Sequence, residues 1–163
     1  MAVRGLDARV LLELPFVAAL VVVAAIDLER RLLPNRIVCP LAAWGIVAIL
    51  LVEQGQLAER LVAGAGAFAV LFAPALAYPA GMGMGDAKLA GAMGLYLGVA
   101  VVPALIVAFV SGTLAGACLM LRDGAAARKR GLPFGVFLAL GGLVGVLAGP
   151  ELAELYANAF RTP

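Results

Sequence analysis

From Ala87 to Leu121 the chain holds one charged residue, Lys88. This stretch is too long to cross a bilayer once, because a hydrocarbon core takes about 20 apolar residues per helix, within a range of about 17–25. Four other apolar runs have the length of single spans: Arg9 to Ile26, Ile37 to Val52 (slightly short), Leu61 to Ala80 and Leu132 to Gly149. The long run divides most naturally near Gly98–Pro103, because proline suits the first turn of a new helix. Six helices are therefore expected. The chain is 64% hydrophobic and 13% charged, with a mean hydropathy of +1.08. A soluble domain would carry about 25% charged residues. This chain cannot cover itself with polar surface, so the expected fold is an all-α polytopic membrane protein, one domain over residues 1–163. A net charge of +2 gives no reason to expect nucleic acid as a partner.

Loop charge sets the expected orientation. Arg30, Arg31, Arg36, Lys88, Arg122, Arg128, Lys129 and Arg130 fall on one side of the six spans, and Arg4, Arg9, Arg60 and Arg161 on the other. The positive-inside rule puts the richer side in the cytoplasm and both termini outside. Arg128-Lys129-Arg130 is expected to meet anionic lipid, which makes membrane lipids a partner. The segment Met1–Asp7 is not expected to act as a cleavable signal, because the first apolar stretch lacks a small-residue cleavage site and runs directly into charge. Small residues recur at helical spacing: Ala87, Gly91, Gly94 and Gly98, then Gly112 and Gly116, then Gly141, Gly145 and Gly149. They predict close helix packing.

Two acids stand at span ends, where a carboxylate is costly and usually functional. Asp86 closes the tetrad Gly83-Met84-Gly85-Asp86 and precedes Ala87-Lys88-Leu89, the position of a helix N-cap. Gly83 and Gly85 are expected to open backbone conformations closed to other residues, and to let an extended substrate strand lie against the loop. Asp27 ends the first span, against the negative end of its helix dipole. Glu29 could pair with Arg30 or Arg31 equally well, which makes Asp27 the odd acid. The chain has no histidine, its only serine is Ser111, and Cys39 and Cys118 show no CxxC spacing. A Ser-His or Cys-His nucleophile and a His-ligated zinc are therefore excluded, and no metal or cofactor is expected. The cysteines read as membrane-facing or packing residues. Two carboxylates in a partly dry site share one proton, and such a pair can activate water and protonate a leaving amine. The helix dipoles suggest that Asp86 ionises more readily and Asp27 keeps its proton.

Three stretches resemble the type IV prepilin peptidase family, the GxGD aspartic leader peptidases. They are Ile26-Asp27-Leu28 with Leu33-Pro34-Asn35, Gly83-Met84-Gly85-Asp86-Ala87-Lys88-Leu89, and Leu132-Pro133-Phe134-Gly135 with Leu138-Ala139-Leu140-Gly141. Order and spacing match from about residue 15 to 149. The resemblance implies a membrane endopeptidase that cuts the short basic leader from type IV prepilins, pseudopilins or small Flp-type pilins. It implies cutting at the cytoplasmic face of the inner membrane, in pilus or secretion-system assembly. Asp27 and Asp86 fall on the two catalytic aspartates, and Gly83 and Gly85 on the motif glycines. The longer bacterial members carry an N-terminal region with paired CxxC motifs and also N-methylate the product. This chain looks like the compact form of tight-adherence systems, so the resemblance does not imply methyltransferase activity. Lys88 is expected to orient the loop, meet a substrate acid or reach the interface. Pro34-Asn35 is expected to start the second helix. Pro133, Phe134 and Gly135 are expected to set the entry of the last helix near the site. A small transporter or channel subunit using Asp27 and Asp86 as ion sites is the main alternative. A Ser111–Lys88 peptidase is a poorer one.

Overall fold

The computed structural model describes residues 2–52, 54–77, 82–124 and 132–160. Six α-helices follow in order: α1 (Ala2–Arg30), α2 (Asn35–Val52), α3 (Leu57–Ala77), α4 (Met84–Leu97), α5 (Val101–Asp123) and α6 (Phe134–Phe160). Short 3₁₀ turns cover Gln54–Gln56 and Gly98–Ala100, and no strand occurs among the described residues. The long apolar run does divide where proline suggests. Gly98 takes a positive φ of 57°, which glycine adopts without steric cost, and Pro103 then sits in the first turn of α5. Several boundaries move. The first helix runs from Ala2 to Arg30 instead of Arg9 to Ile26, the third begins at Leu57 instead of Leu61, and the last runs to Phe160, well past Gly149. The basic run Arg128-Lys129-Arg130 lies outside the described residues.

The helix α4 is the centre of the bundle. It packs most extensively on α3 and also touches α1, α2, α5 and α6. Its buried residues point in almost every direction: Asp86, Ala87, Leu89, Ala90, Ala92, Met93, Gly94, Leu95 and Tyr96. Such an all-round apolar helix belongs in a core. Small residues make the close approach possible. A Cβ at Gly94 would stand 2.5 Å from Gly64 Cα, so α3 and α4 touch backbone to backbone. Gly141, Gly145 and Gly149 meet Ala104, Leu97 and Ala100, and seat α6 where α4 gives way to α5. The expected Gly112–Gly116 pair does not act as one. Gly112 receives Phe134, whereas a Cβ at Gly116 would meet nothing within 4 Å. Tyr96 pins three helices: its ring stacks on Phe16 of α1 at 4.5 Å, and its hydroxyl donates to Leu41 O of α2 at 2.8 Å.

The outside of the bundle is apolar. Leu51, Val62, Leu121 and Leu147 are 74%, 71%, 90% and 82% exposed, too much contiguous apolar surface for water to cover cheaply. Among the described residues, α3 with its preceding turn and the continuous α4–α5 stretch are long and apolar enough to cross a membrane. Asn35–Leu51 and Phe134–Gly149 are shorter apolar helices.

Candidate active site

The C-terminus of α1, the N-termini of α2, α4 and α6, and the segments that lead into them meet at one end of the bundle. They enclose a cavity of about 440 Å³ lined by Asp27, Arg31, Leu33, Asn35, Gly83, Asp86, Lys88 and Phe134, among others. Asp27 and Asp86 are the only buried charged side chains among the described residues, 3% and 5% exposed. Their placement follows from helix periodicity. Leu12, Phe16, Leu20, Val23 and Asp27 are all buried along α1, at the three- and four-residue steps of one helix face. Asp27 is the last member of an apolar stripe, so it points inward. Asp86 is inside because α4 is central.

The two acids are held differently. Asp86 is not the N-cap of α4. That position is Gly83, and Asp86 lies three residues on, where its Oδ2 accepts the Gly83 N–H at 3.1 Å. This is half of a capping box, the acid reaching back to an amide that would otherwise lack a partner. Asp27 meets more than the negative end of its own helix. The backbone amides of Gly135 and Val136, in the first turn of α6, bond to its carboxylate. It thus faces the positive end of a second helix. Asp27 lies one turn before the end of α1, and Asp86 in the first turn of the apolar α4–α5 stretch. Burial raises the pKa of Asp27. The Gly83 amide bonds the Asp86 carboxylate, and Asp27 is the charged group near it. The Gly135 and Val136 amides and the Arg31 cation oppose the rise at Asp27. The dipole expectation counted only the α4 N-terminus at Asp86; the α6 N-terminus gives Asp27 a matching stabilisation that the sequence around Asp27 does not show.

One oxygen of each acid, Asp27 Oδ2 and Asp86 Oδ1, is buried and takes no hydrogen bond from any protein group. Buried polar atoms are nearly always bonded, so one unbonded oxygen on each of two acids that line one cavity marks a place for a polar visitor. Water and a peptide carbonyl suit these oxygens.

The glycines act through bulk and not through unusual backbone angles. Gly83 has φ −77° and ψ 143°, an extended conformation open to any residue. A Cβ at Gly85 would lie 2.6 Å from Leu33 Cβ, so what approaches Gly85 is the α1–α2 connection. That connection is turned by Arg31, a non-glycine residue with φ 51°, at a cost of about 1–2 kcal/mol. Arg31 N–H donates to Asp27 O at 2.9 Å, closing α1, and its side chain lines the cavity. In sequence Arg31 reads as loop charge and as an ion-pair partner for the acids at the end of the first span. A backbone strained beside an acid was not readable there.

Lys88 Nζ donates to Asn35 Oδ1 at 3.0 Å, tying the first turns of α4 and α2 together. Phe134 packs on Phe109 of α5 with ring centroids 5.5 Å apart. Gly135 lies under Asp27, where a Cβ would be 2.9 Å from Oδ2. Pro133 belongs to the short approach to α6 and is half-buried. Ser111 is far from this chemistry. Its hydroxyl donates to Val107 O within α5 at 2.7 Å, while Lys88 is engaged with Asn35, so no Ser-Lys pair exists. Cys39 and Cys118 are free and exposed. Among the described residues no three His, Cys, Asp or Glu side chains are grouped to hold a metal. A larger apolar furrow of about 730 Å³ runs between α3 and α5, and its only ionisable residue is Glu59, at the opposite end of the bundle.

An apolar helical bundle with two buried carboxylates in one cavity at its end defines a class: membrane-borne proteins with an acid-pair site. Comparison narrows the class. Residues 14–121 match the type IV leader peptidase family, and the chain belongs to that family. It is 34% identical over 126 residues to the leader peptidase HopD of Escherichia coli, covering 72% of this chain and 80% of that one. It is 31% identical over 147 residues to the prepilin leader peptidase/N-methyltransferase of Aeromonas hydrophila, covering 86% of this chain and 50% of that one. With the protein of the same name in Bacillus subtilis it shares 29% identity over 153 residues, 93% of this chain and 61% of that one. The chain thus spans about half the length of several curated relatives it matches. No solved structure matches it significantly.

Proposed function

We propose that this chain is a membrane-embedded aspartic endopeptidase that removes the short basic leader from type IV prepilins or prepilin-like proteins. The observation that carries the reading is the pair of buried acids, Asp27 and Asp86, which line the same cavity and each keep one buried oxygen that no protein group bonds. Family membership and the relatives' names support the substrate class. The chemistry follows from the surroundings. Asp27, favoured as the anion by the α6 amides and Arg31, takes a proton from water as the water oxygen bonds to the scissile carbonyl carbon. Asp86 gives its proton to the carbonyl oxygen. The proton on Asp27 then passes to the amide nitrogen as the C–N bond breaks, and the carbonyl re-forms by returning a proton to Asp86. No nucleophilic side chain is consumed. The α6 dipole at Asp27 supports this division of roles, while the pair titrates as a unit.

The test is direct. Prepilin incubated with the purified protein is expected to lose the mass of its leader at a single bond. Intact prepilin after long incubation with folded protein would defeat the reading.

The proposed setting is the inner membrane, crossed six times, with the acid-bearing end in the cytoplasm and lipids as constant partners. Arg30, Arg31, Arg36, Lys88 and Arg122 gather at the acid-bearing end, and Arg60 lies at the other. On a background lacking Cys39 and Cys118, Arg122→Cys should stay unlabelled by a membrane-impermeant maleimide in intact cells, and Gln56→Cys should label. The opposite pattern would invert the topology.

A further inference from the structure

A second cavity, of about 470 Å³, lies along the outside of the bundle between α2, α3 and α4. Its lining is apolar apart from one residue, Lys88, which also lines the acid-bearing cavity. Lys88 is therefore a wall common to both spaces. From there the groove follows α4 to Leu95, about 10 Å at 1.5 Å per residue, or roughly two helical turns. Its floor is small: Ala42, Gly64, Ala65, Gly91 and Ala92. Small residues let another helix approach closely where lipid removes the hydrophobic drive between helices. The larger furrow between α3 and α5 is equally apolar but has no connection to the acids.

We propose that this groove seats the first turns of the substrate's own apolar helix, immediately beyond the bond that is cut. The proposal rests on the peptidase reading and adds where the substrate binds. A segment at this depth must bond its own backbone, so it is helical. A segment between the acids must be extended to present its carbonyl. The change from helix to extended chain falls at Lys88, where groove and cavity share a wall. Lys88, held by Asn35 at 3.0 Å, stands at that junction. Its fixed cation favours a substrate with an acidic side chain or helix-end carbonyl there.

The chain carries its own probes. Cys39 lines the groove, and both Cys39 and Cys118 are free and exposed. Cysteines placed singly along the first three turns of the prepilin helix are treated with a short bismaleimide, in membranes holding the Asp86→Asn protein so that substrate persists. Cross-links are expected at positions three or four residues apart, retained in Cys118→Ala and lost in Cys39→Ala. Ala65→Phe, which fills the groove from an exposed position, should raise KM for prepilin about ten-fold and leave cleavage of a short leader-junction peptide unchanged. Cleavage by the unmodified protein without Cys39 cross-links, or with equal cross-linking to Cys118, would place lipid in the groove and overturn the proposal while the peptidase reading stands. An equal loss on prepilin and peptide in Ala65→Phe would also overturn it. Absence of cleavage by the unmodified protein would remove the peptidase reading and this proposal with it.

Discussion

Asp27→Asn and Asp86→Asn are each expected to lower leader cleavage by about 10³-fold or more, within the span that acid–base groups contribute to such reactions. Neither change should harm the fold. Asparagine keeps the carbonyl oxygen that accepts the Gly83 amide at Asp86, or the Gly135 and Val136 amides at Asp27. It also removes a buried, mutually repelling pair whose outer oxygens are unbonded. Thermal stability in detergent should be equal or higher, the usual trade at a site arranged for chemistry. The double variant should be no slower than the worse single one, because groups acting as a unit do not add. A mass-resolved assay on prepilin, run beside melting curves, gives all three readouts. Either single variant cleaving within ten-fold of the unmodified protein would sink the two-acid mechanism.

How much of this was legible beforehand depends on where each contact is encoded. The helices were readable because apolar runs of span length have few alternatives, and the break at Gly98 was marked by glycine and proline. Helix ends were less so. An N-terminal helix turn such as Leu57–Arg60 carries polar residues that hydropathy assigns to a loop. Asp27 and Asp86 were visible as acids out of place. Their inward direction could also have been found, since Leu12, Phe16, Leu20 and Val23 run into Asp27 on one helix face. Contacts between distant segments were not readable. Nothing in Gly83-Met84-Gly85-Asp86 says that Gly85 faces Leu33, or that Lys88 reaches Asn35. Nor does the sequence around Asp27 show that the first turn of another helix points at it. The dipole argument was incomplete there because it used only the helix on which the acid resides.

That missing helix supplies the second large effect. Gly135→Ala is expected to slow cleavage by about 10–100-fold and to move the acid limb of the pH profile upward by about one unit. A methyl group at position 135 would stand 2.9 Å from Asp27 Oδ2 and 3.1 Å from Leu33 Cδ1. Both are side-chain atoms, so the carboxylate swings aside and the backbone of α6 stays. The effect is therefore on charge. The Gly135 and Val136 amides bond the ionised form of Asp27 and hold its pKa down against burial. Hydrogen bonds to a charged group are worth about 1.5–3 kcal/mol, and one pKa unit corresponds to about 1.4 kcal/mol. With those bonds lengthened, the first ionisation of the acid pair occurs at higher pH. Cleavage, which needs one acid ionised, then fails at a pH where the unmodified protein still works. At pH values above the shifted limb, part of the lost rate should return. A protein that had merely lost packing would fall equally at every pH. Rate–pH profiles of Gly135→Ala against the unmodified protein separate the two outcomes. A uniform drop with an unmoved acid limb would show that Gly135 only makes room for the chain, and that the first turn of α6 does not tune Asp27.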